Sequence, residues 1–211
     1  YGDEGKIAPD VCTYYYGFIT QKEAVSDVNV RRALSMAVDR KTLVEQVTKG
    51  GQIPANAFTN PLMFGTVAED SDVAPWALTE EQGGLGYEAA IEMAKELMAE
   101  AGYEDGAGLT LTLGHNVNEG HARIAQAIQA MWTAAFPPIQ VDLHTQQRGV
   151  HLASINNDAP MDAKPDVFRL GWCMDYPHAN NWVHEVFNTE AGANRLMLSP
   201  DDEQIGALVT E

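Results

Sequence analysis

The sequence predicts an α/β fold, and three neighbouring segments carry the prediction. Leu109-Thr110-Leu111-Thr112-Leu113 alternates apolar and polar residues strictly, the period of a strand with one buried face. Glu119 to Phe136 places Ile124, Ile128, Met131, Trp132 and Ala135 on one helical face and stops at Pro137-Pro138, as a helix does before proline. Ile139, Val141 and Leu143 then alternate with Gln140, Asp142 and His144, a second strand. Strand, helix and strand within about 35 residues make a βαβ unit, which predicts parallel neighbouring strands joined by a right-handed crossover.

The other elements follow in order. Val11 to Phe18 is rich in β-formers, with aromatics on alternating sides, a strand covered on both faces. A polar turn is expected near Gln21 to Glu23. Asp27 or Asn29 can cap a helix through Val30, Ala33, Leu34, Ala37 and Val38, and Asp39 can cap a second through Leu43, Val44 and Val47, stopping at Gly50-Gly51. Gln52 to Gly86 holds Pro54, Pro61, Pro75 and Gly83-Gly84 among Phe58, Phe64 and Trp76. So many large apolar groups predict a long ordered loop rather than a linker. Tyr87 to Ala101 is an amphipathic helix with Gly102 as its left-handed stop. Beyond the βαβ unit, a helix near Gly149 to Asn156, a strand from Asp166 and a helix from Ala179 to Phe187 continue the alternation. Pro200 to Glu211 opens another helix-like pattern (Ile205, Leu208, Val209) without a cap at its end. Together with the missing initiator Met, this suggests a piece cut from a longer polypeptide. No internal repeat or low-complexity tract is present.

Composition narrows the partners. The 211 residues are 45% hydrophobic and 20% charged, a globular balance large enough for a respectable core. Thirteen Lys and Arg oppose 30 Asp and Glu, for a formal net charge of −17. That field repels phosphate backbones and anionic lipid, so neither nucleic acid nor a membrane surface is an expected partner. No run of about eighteen or more apolar residues suggests a transmembrane helix, and Tyr1-Gly2-Asp3-Glu4 has no secretory-signal character. The two cysteines, Cys12 and Cys173, lie 161 positions apart (173 − 12). By spacing alone they are as readily two buried thiols as a pair, and the compartment decides.

The familiar catalytic signatures are missing: no Gly-x-Ser-x-Gly, no Gly-x-x-x-x-Gly-Lys, no Gly-x-Gly-x-x-Gly and no His-Glu-x-x-His. Six histidines are present, none spaced i, i+4 from another with a supporting carboxylate, so no metal site is expected. No cofactor is expected either. What remains is Asp166 to Tyr176, DVFRLGWCMDY, in which a buried strand delivers Trp172, Cys173, Asp175 and Tyr176 to its carboxyl end. Ligands of open α/β sheets collect at such ends. Asp175 beside an aromatic wall suits a small cationic group, and Arg169 can receive a carboxylate in its planar fork. Together these two suit a zwitterion, and Trp172, Tyr15 and His121 are the other groups that could make the site. Each also has a plainer reading. Trp172 and Tyr176 could be core, Asp175 the cap of the next helix, Arg169 the partner of Asp166 or Asp175 in an ion pair, and His121 a solvent-facing residue in the first turn of its helix.

Three passages together resemble the periplasmic oligopeptide-binding proteins of ABC importers, within the dipeptide and oligopeptide family of extracellular solute-binding proteins. The first runs from Val11-Cys12-Thr13-Tyr14-Tyr15-Tyr16 to Asp27-Val28-Asn29-Val30-Arg31-Arg32-Ala33-Leu34, Asp39-Arg40 and Pro54-Ala55. The second is Ala94-Lys95-Glu96-Leu97-Met98-Ala99-Glu100-Ala101-Gly102-Tyr103, leading to the 109 strand and His115 to Ala125. The third is Gly171-Trp172-Cys173-Met174-Asp175-Tyr176. Their order and spacing cover nearly the whole chain and are more specific than any single motif.

The resemblance implies a periplasmic-binding-protein-like lobe, with a mixed, largely parallel sheet flanked by helices. Residues 1–211 would form the carboxyl-terminal lobe of a two-lobed protein whose other lobe is absent. It implies that Asp175 binds a peptide's free α-amino group, that Trp172, Cys173 and Tyr15 surround the ligand, and that Arg169 and His121 meet its side chains or carboxylate. Cys12 and Cys173 match a disulfide of the enteric members. In two places the chain departs from the pattern. Arg148 stands where relatives carry a ligand-facing tryptophan, and Asn157 to Lys164 looks like an insertion, so peptide length and side-chain preference need not carry over. The resulting expectation is a monomeric, non-catalytic periplasmic receptor that captures short peptides for a membrane permease. The alternatives are another ligand on the same fold, such as a nickel chelate, haem or a murein peptide, or an α/β hydrolase.

Overall fold

The computed structural model describes residues 10–66, 75–77, 83–190 and 193–199. The helix-like pattern beginning at Pro200 and parts of the proline-rich loop lie outside the described residues.

Four strands form one sheet: β1 Cys12–Phe18, β2 Thr110–Asn116, β3 Gln140–Gln146 and β4 Val167–Cys173, in the order β1-β4-β2-β3. β2 is parallel to both β3 and β4, while β1 runs antiparallel along the outer edge of β4. The sheet is therefore mixed and largely parallel, as expected. The carboxyl ends of β2, β3 and β4 share one edge with the amino end of β1.

The helices are α1 Glu23–Ser26, α2 Val28–Met36, α3 Arg40–Thr42, α4 Tyr87–Glu100, α5 Glu119–Ala135, α6 Arg148–Ser154 and α7 Asn180–Phe187. Their starts follow cap chemistry. Asp27, Asp39 and Asn118 accept hydrogen bonds from the backbone N–H groups of Asn29, Thr42 and His121, satisfying donors that an open helix end leaves free. One local expectation is extended and one is corrected. The turn at 21–23 leads into the short α1, because Val25 is fully buried and draws this segment onto the core. The helix capped by Asp39 widens into a π-helical turn, Leu43–Thr48, and stops at Lys49, which itself takes the left-handed conformation (φ 53°) one residue before the glycines. Gly102 is left-handed at φ 87° and ends α4 as read from the sequence.

One face of the sheet packs on α2, α4 and α5 through Leu34, Met98, Leu111, Leu113, Trp132 and Val167. The Trp132 indole N–H donates to Leu34 O at 2.8 Å, which satisfies a buried donor. A smaller cluster of Ile19, Ile155 and Phe168, with Leu152 against it, lies where Phe168 points away from its neighbour Val167. Among the described residues no helix is long and apolar enough to cross a membrane.

Candidate functional site

The β1–β4 register decides which of the nominated side chains can meet. Cys12 stands opposite Cys173, Tyr14 opposite Gly171 and Tyr16 opposite Arg169, while Thr13 faces Trp172 and Tyr15 faces Leu170. Directly opposed residues share a sheet face and successive residues alternate. Arg169 and Cys173 therefore project with Tyr14 on one face, and Trp172 with Tyr15 on the other. The six nominated residues form two groups on either side of one strand pair, not one wall.

On the first face the cysteines are joined, Cys12 to Cys173, which ties the start of β1 to the end of the site strand. Arg169 lies over the Tyr14 ring, 4.3 Å from its centroid, within cation–π range. It donates from Nη1 to Asn116 Oδ1 at 3.3 Å. Its Nε is buried with no hydrogen-bond partner among the described residues. The Tyr14 hydroxyl is hydrogen-bonded to His121 Nδ1 at 3.3 Å, in the first turn of α5. The Arg169–Asp166 ion pair considered from the sequence does not form, because Lys22 and Thr112 occupy that carboxylate. His121 is half-buried rather than simply solvent-facing.

This face is locally cationic in a strongly acidic chain. Burial first, then the charges of Arg169, His115, Arg148 and His151, lower the pKa of His121 to about 4, so its ring is neutral near pH 7. Burial raises the pKa of Tyr14, against smaller lowering effects of Tyr16 and then Arg169. Burial also lowers His151, whose Nε2 lies 2.8 Å from Arg169 O and braces the backbone of β4 from α6.

On the other face Trp172 is half-buried and leads to the exposed Asp175. Asp175 does not cap α7. Instead Asn181, fully buried inside α7, accepts from the Trp172 indole N–H at 3.1 Å and from the Asp175 backbone N–H at 3.0 Å, and donates from Nδ2 to Asp175 Oδ2 at 3.3 Å. Among the described residues nothing donates to Oδ1. Tyr15 sits further down the strand, edge-on to Phe58 and Phe168 with centroids 5.0 and 6.2 Å away. Burial pushes its hydroxyl up to about 12. Tyr176 is exposed, its hydroxyl accepting from Asn180 Nδ2 at 3.2 Å.

Tyr14, Asn116 and Asn181 were not nominated from the sequence. Tyr14 carries a signal all the same. If Cys12 pairs with Cys173 across antiparallel strands, Tyr14 must share a face with Arg169, whereas Tyr15 must not. Chemically, Asp175 presents an acceptor to a cation, and the fork of Arg169 presents donors to an anion. No group of three or more His, Cys, Asp or Glu able to hold a metal occurs among the described residues.

A four-stranded mixed sheet in this order, flanked by helices, defines a fold of the periplasmic-binding-protein type. The chain belongs to the bacterial extracellular solute-binding proteins, family 5, whose middle-region model matches residues 2–194. It is 29% identical over 198 residues to the periplasmic oligopeptide-binding protein OppA of Salmonella typhimurium, covering 94% of this chain and 34% of that protein. It is 34% identical over 184 residues to the periplasmic murein peptide-binding protein MppA of Escherichia coli, covering 87% and 32%. The solved structure of that Escherichia coli murein tripeptide-binding protein superposes with a TM-score of 0.75 at 31% identity, covering 90% of this chain and 34% of the other. The chain thus spans about a third of the length of the relatives it matches.

Proposed function

We propose that this chain is the carboxyl-terminal lobe of a two-lobed, monomeric periplasmic receptor. It captures short peptides and hands them to the permease of an ABC importer, and it catalyses no reaction itself. The observation that carries this reading is Asp175. It is an exposed carboxylate at the sheet's carboxyl edge, held through its backbone N–H and Oδ2 by the Asn181 amide that also binds the Trp172 indole, with no donor to Oδ1 among the described residues. The ammonium of a peptide's amino terminus supplies the missing partner. Arg169 on the other face, whose buried Nε has no partner among the described residues, offers its guanidinium fork to a carboxylate or polar side chain further along the ligand. Membership of the solute-binding family, and the peptides named for OppA and MppA, support the same assignment. The likeness to MppA makes a murein peptide the second ligand to try, since it also offers carboxylates and an ammonium.

Calorimetry on the full-length receptor tests the reading, with tripeptides bearing free or acetylated amino termini. Free tripeptides should bind and acetylated ones poorly. Asp175→Asn should weaken the free peptides by roughly 30-fold or more, the scale of losing one partner of a sequestered charge pair, and should leave the acetylated series nearly unchanged. Equal effects on both series would remove Asp175 as the anchor. A murein tripeptide outcompeting all ordinary tripeptides would transfer the assignment to the second ligand.

A further inference from the structure

We infer that Asn181 is a specificity-positioning residue, a buried amide that aims the Asp175 carboxylate and fixes Trp172 beside it. The inference rests on the reading of Asp175 as the ammonium anchor. Two groups that can only donate, the Trp172 indole N–H and the Asp175 backbone N–H, converge on one atom of the Asn181 side chain at 3.1 and 3.0 Å. That atom must therefore be the amide oxygen. The amide nitrogen is then forced to face Asp175 Oδ2 at 3.3 Å. Flipping the amide would set two donors against a donor and an oxygen against a carboxylate, so the network has one self-consistent orientation. Its result is directional. Oδ2 is held by the protein, and Oδ1 is presented to whatever binds.

The amide is itself firmly placed. Asn181 is 0% exposed, and so is its neighbour Trp182. The Trp182 indole N–H donates to Thr13 Oγ1 at 2.9 Å, and Thr13 Oγ1 donates to Phe58 O at 3.0 Å. The start of α7 is thereby pinned to β1, the strand paired with the one that carries Trp172. Asn181 never reaches a ligand on this account. It acts through Asp175, by denying that carboxylate the rotamers in which it would turn away into water.

The experiment is a double-mutant cycle in the full-length receptor, with Asn181→Leu, Asp175→Asn and both together, titrated with one tripeptide in free and amino-acetylated forms. Asn181→Leu keeps the volume and removes every hydrogen bond. It should weaken the free tripeptide roughly tenfold, on the scale of one hydrogen bond to a charged group, spare the acetylated one, and add less than about twofold on top of Asp175→Asn. The indole ¹H–¹⁵N signal of Trp172 should move in Asn181→Leu and stay in place in Asp175→Asn. Asn181→Ser, whose hydroxyl is too short to span both partners, should repeat the selective loss and serves if the leucine variant does not fold. Equal loss for both peptides, or full additivity with a selective Asp175→Asn, would overturn the positioning role and leave the proposed anchor intact. An unselective Asp175→Asn would overturn both.

Discussion

Asp166 and Thr112 clasp each other from both sides. Asp166 Oδ2 accepts from the Thr112 backbone N–H and from its hydroxyl, each at 2.7 Å, while the Asp166 N–H donates to Thr112 Oγ1 at 2.9 Å. The position of the clasp explains its importance. Only Leu113 with Val167 and Gly114 with Phe168 pair directly between β2 and β4, so side chains take over where the ladder has not begun. Lys22 Nζ lies 3.9 Å from the other carboxylate oxygen. The strand that carries Arg169 and Trp172 is anchored at its root by this pair.

Thr112→Val keeps the shape and removes the hydroxyl. It leaves the Asp166 N–H and part of a 7% exposed carboxylate without partners, at a cost of about 1–3 kcal/mol. Urea unfolding should show a lower midpoint with an unchanged slope. An unshifted midpoint would mean that water replaces the hydroxyl at no loss.

Gly17 and Phe168 are directly opposed in the β1–β4 register, and a Cβ on Gly17 would lie 2.6 Å from Phe168 Cζ. Phe168 is fully buried, so its ring cannot simply swing into solvent. Gly17→Ala should destabilise by about 1–3 kcal/mol through overpacking. Phe168→Leu in the same chain should recover part of that loss, although alone it leaves a small cavity. The interaction energy from the four variants checks this. Strict additivity would show that the two positions do not press on each other.

The Cys12–Cys173 disulfide closes a loop of 161 residues in sequence. The chain-entropy model assigns such a loop up to about 5 kcal/mol, an upper figure because residual structure in the unfolded chain lowers it. Intact mass with and without reduction and alkylation should show the bond in protein made under oxidising conditions. Adding reductant should shift the denaturation midpoint down. Two freely alkylated thiols without reductant would refute the pairing.

The sequence made the α/β alternation readable because periods of two and 3.6 survive in short windows: Leu111 and Leu113 for β2, and Ile124, Ile128 and Trp132 for α5, are buried as their spacing requires. Tertiary demands were less visible. Nothing in Leu43-Val44-Glu45-Gln46-Val47-Thr48 announces a π-helical turn, and a buried Val25 rather than local propensity makes α1. At the site, strand-end chemistry marked out Asp175 and Trp172. Tyr15 rested on the family resemblance, and three consecutive tyrosines gave no parity to show that Tyr14 is the one beside Arg169 and His121. Asn181 was hidden for a different reason. Its role depends on α7 returning Asn181 to the end of β4, and six residues of separation from Asp175 fit no local motif.

His121 should remain neutral well below the pH at which a free imidazole charges. Burial is the first cause, followed by the electrostatic effects of Arg169 on β4, His115 on β2, and Arg148 and His151 on α6. Together they bring its pKa from 6.5 to about 4. The sign follows from proton counting. Between pH 6.5 and about 4 the unfolded chain holds a proton on this ring that the folded chain does not, so folding stability falls as pH drops through that window. The contribution is fully present above 6.5 and is not lost further below about 4. Nuclear magnetic resonance titration of the imidazole carbons should place the His121 midpoint near 4. Arg169→Gln should raise that midpoint by removing the charge that acts most strongly on the ring. His121→Gln should flatten the acid side of the stability profile across the same window. A His121 midpoint near 6.5 that ignores Arg169→Gln would show that the ring is solvated and electrostatically independent of the arginine. In that case the shared contact through Tyr14 would be packing alone.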